Sequence, residues 1–362
     1  MENFQQYLKA AVDAGASDVH VKVGGPVIVR INRTLIEVQG PAPTEEWLNS
    51  IVTAMCPKHA RERLDRDREV DFSYYAPGLG RFRTNVFQQK GTFALAMRYV
   101  KTEVPSFEQL GLRPILRQIA EEHRGIILMA GTTGSGKSTS LAAMIQHINR
   151  NFKKHIVTLE DPIEFVFEDM QSVIEQREVG LDTMSFEHGL KHVLRQDPDV
   201  IMIGEMRDAT SFSAAISAAD TGHLVLSTLH TTNSAQSVGR ILDFFKADER
   251  EQVRRQLAGT LKAVVCQRMV TTVNGSVTPA QEIMLNTPTV RKLIEENRLD
   301  KLGAAIETGM DDGMRSFNQD LFDLVKERRV TEKEALAKAS NPQALEMNFK
   351  GIFLDEGRRI LS

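Results

Sequence analysis

The chain has 362 residues, 41% of them hydrophobic, with 45 Lys plus Arg against 48 Asp plus Glu, a formal net charge of −3, and two cysteines. At roughly 150 residues per domain, that length suggests two or three domains, each able to bury its own core. The near-neutral balance argues against a chain whose business is holding nucleic acid, and Cys56 and Cys266 can form neither a disulfide framework nor a four-thiolate zinc site, so a reducing, cytosolic compartment fits best. The opening MENFQQYLKAAVDAG has no basic n-region and no apolar h-region, and no apolar run approaches the ~20 residues needed to span a bilayer. Contact with a membrane is therefore expected through a partner or a surface.

Along the chain, residues 1–100 carry 13 Lys plus Arg and 11 Asp plus Glu, a balance of +2, which leaves −5 for the remainder. A first helix is predicted over 3–14 and ends at Gly15. Val19, Val21 and Val23 then alternate with Asp18, His20 and Lys22, the period of a half-buried strand. Further strand signals stand at 27–31, 69–75, 81–88 and 92–100, with helical stretches at 44–55 and 57–67. Helices among antiparallel strands predict a small α+β domain over 1–100 with helices on one face of its sheet. Residues 101–114, with Pro105, Gly111, Pro114 and a capping box from Ser106 to Gln109, read as an interdomain linker.

From 115 to 285 the pattern changes to apolar runs alternating with helices. The runs at 126–130, 156–159, 200–203 and 224–229 have the continuous hydrophobicity of strands buried on both faces, which predicts a doubly wound α/β domain. Residues 286–362 read as a helical C-terminal subregion: helices at 288–297 and 316–327, a capping box from Thr331 to Glu334, and a last helix after Pro342.

The strongest motif is Gly131-Thr132-Thr133-Gly134-Ser135-Gly136-Lys137-Ser138, followed by Thr139. It matches G-x-x-x-x-G-K-[ST], it follows an apolar strand, and it opens a helix running to about Arg150. Its glycines let the backbone fold tightly enough for N–H groups to surround phosphate oxygens, and the helix N-terminus adds partial positive charge. Lys137 is expected to reach the β and γ phosphates of ATP and the Ser138 hydroxyl to ligate Mg²⁺. Gly134 and Gly136 are expected to reject a Cβ. Such a loop needs an acidic partner on a neighbouring strand, and Glu205, just past the run 200–203, supplies one at the sheet edge where α/β ligands bind. Two more elements end near that edge. The run 156–159 leads into Glu160, Asp161 and Glu164, and His230 follows 224–229 as a candidate γ-phosphate contact ahead of His223, which sits at the strand's other end.

Together these residues resemble a known family. The segment Leu194-Arg195-Gln196-Asp197-Pro198-Asp199-Val200-Ile201-Met202-Ile203-Gly204-Glu205-Met206-Arg207-Asp208 is similar to the signature of the secretion-type ATPases, the superfamily of type II secretion and type IV pilus motors. The loop at 131–138, the acidic segment 160–164, this segment and 221–232 occur in that superfamily's order, and Ala16-Ser17-Asp18-Val19-His20 resembles the opening of its smaller N-terminal domain. The pilus retraction branch (PilT/PilU) fits best, because extension and type II secretion motors typically carry a tetracysteine zinc module.

The resemblance implies a PAS-like N-terminal domain and a RecA-like ATPase domain, assembled as a homohexamer in which nucleotide binds between the two domains. It makes Glu205 the general base, Glu164 an aid to Mg²⁺ or water, and His230 a γ-phosphate sensor, with Arg81, Arg83 and Arg98 as arginine fingers. It implies ATP-driven work on an inner-membrane, PilC-like pilus platform protein, from a cytoplasmic position at that membrane's face. Thr289-Val290-Arg291-Lys292-Leu293 stands where the retraction branch has A-I-R-N-L. Arg291 and Leu293 agree and the other positions do not, which leaves open a principal retraction motor or an accessory paralogue that binds ATP and docks on one. A related secretion or conjugation ATPase, or a nucleic-acid translocase, is the weaker alternative.

Overall fold

A computed structural model of the chain describes residues 2–31, 34–100 and 102–353. They fall into two compact units, one made of the residues up to Glu103 with Pro162–Val166, the other of Val104–Asp161 and the residues from Phe167 onward. The short segment carrying Glu164 thus groups with the first unit.

The first unit runs α1 (Glu2–Asp13), β1 (Asp18–Lys22), β2 (Val27–Ile31), β3 (Thr34–Val38), α2 (Glu45–Met55), α3 (Lys58–Asp67), β4 (Glu69–Ala76), β5 (Gly80–Gln89) and β6 (Thr92–Tyr99). Its strands form one antiparallel sheet in the order β3-β2-β1-β6-β5-β4. Register puts Val21, Leu95, Val86 and Val70 in one row across four strands, and Val19 with Met97 in the next. These rows pack with Phe4 and Leu8 of α1 and Leu48 and Ile51 of α2 in a single core. Alternation therefore fixes one face as apolar and leaves the other polar. The helix α2 starts where the Thr44 hydroxyl accepts the Trp47 N–H at 3.2 Å. The sequence pattern missed β3, an edge strand whose Leu35 and Ile36 are exposed and so carry no burial signal.

The second unit continues α4 (Phe107–Leu110), α5 (Ile115–Ala120), β7 (Gly125–Ala130), α6 (Lys137–Asn151), β8 (His155–Glu160), β9 (Val173–Glu178), α7 (Phe186–Val193), β10 (Val200–Ile203), α8 (Ala209–Asp220), β11 (Leu224–Leu229), α9 (Ser234–Asp243), α10 (Arg250–Thr260), β12 (Leu261–Thr271) and β13 (Val277–Leu285). Helices α11 (Pro288–Glu295), α12 (Leu302–Thr308), α13 (Phe317–Lys326), α14 (Glu332–Lys338) and α15 (Pro342–Phe349) follow. The sheet order is β13-β12-β7-β11-β10-β8-β9, parallel throughout except for the β12–β13 pair. Every residue of β7, β10 and β11 is buried, as strands covered on both faces require.

The C-terminal helices share the core of this sheet, with Val290, Phe317, Leu321 and Leu345 in the same cluster as Val157 and Val225. The capping box at Ser106 forms as expected. At Thr331 only half of the expected box forms: its hydroxyl accepts the Glu334 N–H, but the Glu334 carboxylate accepts the N–H of Thr271 at 2.9 Å and ties α14 to β12. Asp320 of α13 is fully buried and takes Arg113 Nε at 2.6 Å and the Gln281 N–H at 2.8 Å, so the segment entering α5 is clamped to the helical region. The expected helix at 288–297 is shorter, and the tail beyond 353 lies outside the described residues.

Candidate active site

The strand β7 delivers Gly131 to the carboxyl edge of the sheet, where its N–H donates to Leu229 O at 3.2 Å. Gly136, in the left-handed conformation at φ 85°, caps α6. Between them Lys137, 8% exposed, folds its ammonium back onto the loop: Nζ donates to Gly131 O at 2.9 Å and Thr132 O at 3.0 Å. A buried cation is thereby held by two carbonyls, and the first-turn N–H groups of α6 remain donors for an anion. Thr132, Thr133 and Gly134 are exposed, Ser135 is buried, and Ser138 and Thr139 are half-buried on the first helical turn. A cavity of about 350 Å³ opens beside the loop, lined by Gly131–Ser135 together with Thr232, Gln267, Arg268, Met269 and Lys338.

The glycines are constrained for different reasons. A Cβ at Gly131 would lie 2.4 Å from Ser135 Oγ and 2.6 Å from the Gln267 carbonyl oxygen. At Gly134 there is open space but a φ of +79°. Steric intolerance therefore sits at the first glycine of the motif, while the later one is chosen for its backbone conformation.

Glu205 follows β10 by two residues. The turn is fixed by Gly204, whose N–H donates to Leu159 O at 2.7 Å and whose carbonyl accepts Thr228 Oγ1 at 2.7 Å. The half-buried Glu205 carboxylate takes Arg207 Nη2 on Oε2 at 2.6 Å, and His230 Nε2 lies 3.4 Å from Oε1. Burial pushes this carboxyl up. The Arg207 hydrogen bond, with His230 and Lys137 nearby, outweighs burial and holds it below the usual glutamate range. A carboxylate that stays ionised, half-buried and aimed at the edge that carries the loop is equipped to take a proton from water.

His230 is 45% exposed in its side chain, whereas His223 at the opposite end of β11 lies with Nδ1 2.8 Å from Ala218 O and is used structurally. Glu160 is buried at the end of β8 and accepts from Thr158 Oγ1 at 2.7 Å and Gln176 Nε2 at 3.0 Å. Glu164 is exposed and belongs to the first unit.

Within the first unit, register aligns Arg30, Asp18, Arg98, Arg83 and Ser73 in one row across five strands, on the face opposite the apolar rows. Arg98 Nε donates to Asp18 Oδ1 at 2.9 Å, and Arg30 lies 3.7 Å from the other oxygen. Burial raises the Asp18 carboxyl, but bonds from Ser17 and Arg98 bring it below the ordinary aspartate range. Arg81, two residues from Arg83 on β5, shares this face.

The structure thus gathers Lys137, Glu205 and His230 at one sheet edge. Sequence reasoning did not single out Arg207, whose hydrogen bond lowers the Glu205 carboxyl, nor Gln267, Arg268 and Lys338 beside the loop. Arg207 was signalled only by its place two residues after the glutamate. Ser138 puts a half-buried hydroxyl on the first turn of α6, a hard-oxygen donor of the kind that Mg²⁺ takes alongside phosphate oxygens and water.

A family model described as type II/IV secretion system protein matches residues 1–335. The chain is similar to the type IV pilus retraction ATPase PilT of Pseudomonas aeruginosa, 36% identical over 338 residues, 93% of this chain and 98% of that protein. It is also similar to the type IV pilus ATPase PilU of the same organism, 38% identical over 96% of this chain and 91% of that one. A twitching motility protein of Neisseria gonorrhoeae is 40% identical over 88% and 85%. Among solved structures, the pilus retraction motor PilT with bound ADP superposes with a TM-score of 0.87 at 38% identity, covering 94% of this chain and 98% of that one. The Legionella pneumophila ATPase DotB does so with 0.80 at 25% identity, covering 96% and 95%. The chain belongs to the type II/IV secretion system protein family and is homologous, over nearly its whole length, to a pilus retraction ATPase and to a twitching motility protein.

Proposed function

We propose that this chain is an ATPase motor that powers type IV pilus retraction, converting ATP and water to ADP and phosphate. The observation that carries the reading is the placement of the Glu205 carboxylate between Arg207 and His230 at the edge that bears the phosphate loop, in a chain similar over 94% of its length to a retraction motor. The loop from Gly131 to Ser138, with Thr139, holds the phosphates. Lys137 leaves its two carbonyls to meet the terminal phosphates, and the field of the first turn of α6 adds to its charge. Ser138, helped by Glu164, would hold Mg²⁺, which supplies charge neutralisation at the phosphates. Glu205 orients water and takes its proton; His230 contacts the γ phosphate. Arg81, Arg83 and Arg98 neutralise charge on the transferred phosphoryl group, with Asp18 holding Arg98 ready.

The PAS-like domain over 1–100, the linker at 101–114 and the RecA-like domain over 115–285 with its helical C-terminal region would move against each other during turnover in a homohexamer. That ring acts in the cytoplasm, at the inner-membrane face, on a PilC-like platform protein. No helix among the described residues is long and apolar enough to cross a membrane.

A second reading, an accessory subunit that docks on a principal motor, draws on Thr289–Leu293. Val290 and Leu293 are buried on α11, whereas Thr289 and Lys292 are exposed. The departures from A-I-R-N-L at the first and fourth positions therefore change surface, while the valine at the second stays in the core. Retraction in a deletion strain complemented with wild type or Lys137→Ala separates the two. Loss of twitching with the variant supports the motor; full restoration by it supports the docking role.

A further inference from the structure

The segment that follows His230 is tied down residue by residue, while the His230 side chain stays 45% exposed beside Glu205. Between the end of β11 at Leu229 and the start of α9 at Ser234 lie four residues. Thr231 is buried with Oγ1 2.6 Å from Ser237 Oγ, and Ser237 Oγ also donates to Asn233 O at 2.9 Å. The Thr232 hydroxyl donates to Gln236 Oε1 at 2.6 Å. Ser234 is fully buried, and both its N–H and its Oγ donate to one oxygen, Oε1 of Glu282, at 2.7 and 2.8 Å. Glu282 stands on β13, two strands away from β7 in the sheet.

A carboxylate pressed into this position costs free energy that an apolar side chain would not. What it gains is the N-terminus of α9, where two donors and the helix dipole favour a negative acceptor. Burial pushes the Glu282 carboxyl up, while the Ser234 bonds and the Arg268 charge act in the other direction. The anchor grips Ser234 at the start of α9, directly after residues 230–233, and from that loop His230 Nε2 lies 3.4 Å from Glu205 Oε1.

We propose that Glu282 is a positioning residue of the reaction: by gripping Ser234 through two hydrogen bonds to one oxygen, it fixes the loop that presents His230 beside Glu205. The inference rests on the reading of His230 as a γ-phosphate contact. Gln in place of Glu282 keeps an acceptor oxygen for both donors; Ala leaves the buried Ser234 N–H without its acceptor and its hydroxyl with the weaker Cys266 Sγ at 3.8 Å.

Steady-state ATP hydrolysis by the full chain tests this with Glu282→Ala, Glu282→Gln, His230→Ala and the double variant. Glu282→Ala should lower kcat about tenfold, with KM changed less than about twofold, because a displaced contact acts in the transition state rather than in binding. Glu282→Gln should retain most turnover. In the His230→Ala background, Glu282→Ala should change kcat by less than about twofold, because the two residues act as one unit. Additive losses overturn the proposal, as does wild-type turnover by Glu282→Ala alongside an impaired His230→Ala. A Gln variant as slow as the Ala variant overturns it too. Should Glu282→Ala not fold, Ser234→Ala removes one of the two bonds and is held to the same non-additivity with His230→Ala. A silent His230→Ala variant overturns instead the reading on which the proposal rests.

Discussion

The sharpest structural contrast within the phosphate loop concerns Gly131→Ala and Gly134→Ala. Both positions have positive φ, +150° and +79°, so an alanine at either costs about 1–3 kcal/mol of backbone strain. Only at Gly131 does the new methyl also meet neighbours, at 2.4 Å from Ser135 Oγ and 2.6 Å from the Gln267 carbonyl. Ser135 can rotate away. The carbonyl cannot, because Gln267 lies within β12, whose neighbouring Cys266 pairs with Ala130 of β7 and which is itself paired with Gln281 of β13. Overpacking against backbone adds about 1–3 kcal/mol, so Gly131→Ala should melt roughly 2–12 °C below Gly134→Ala in a unit of this size. Thermal unfolding without nucleotide, followed by circular dichroism, isolates this from any effect on binding. Adding Ser135→Ala should recover only part of the loss. Equal melting temperatures for the two single variants would refute the steric account and leave backbone conformation as the whole reason for both glycines.

Two further outcomes follow from the charge networks. Arg207→Ala removes the hydrogen bond that offsets burial at Glu205, so the carboxyl rises; since the base must be ionised, the acid limb of the kcat/KM pH profile should move to higher pH, and an unmoved limb would separate Arg207 from Glu205. The same depressed carboxyl contributes stability above its unfolded value that is lost as pH falls through the folded one, and the variant should show less of that acid-side loss. Asp320→Ala takes the shared buried carboxylate from Arg113 and Arg315, which keep Glu327 and Asp323, and leaves the buried Gln281 N–H without its acceptor, so it should cost about 1–3 kcal/mol in urea unfolding, against less than ~0.5 kcal/mol for Glu187→Ala in an exposed helical pair.

Much of this molecule was legible in its sequence for identifiable reasons. Strands β7, β10 and β11 lie between covered faces, so their apolar runs are continuous, and the loop motif states its own geometry through glycine and lysine spacing. The strands that escaped notice break those rules. The strand β12 passes from Val265 into buried Gln267 and then Arg268, whose guanidinium lies 3.9 Å above the Phe317 ring, a contact 49 positions away that no local pattern reveals. Within β13 stands Pro279, a residue that argues against a central strand, but β13 is an edge. A similar limit applies to the site. Glu205 and His230 could be named from their strand ends, whereas Arg207 as a hydrogen-bond partner that lowers the Glu205 carboxyl, and Glu282 as the proposed anchor of the His230 loop, exist only through tertiary contacts. The role of Asp18, a position within a recognisable segment, became physical only when register placed it between Arg30 and Arg98.

In the proposed mechanism Glu205 is the base of an ATP-hydrolysing site. Phosphate release by the purified full chain should be lowered at least about 10²-fold by Glu205→Gln, which keeps shape and hydrogen bonding but cannot accept the proton, while ATP binding is retained. Equal turnover by wild type and Glu205→Gln, in the presence of Mg²⁺ and ATP, would contradict it.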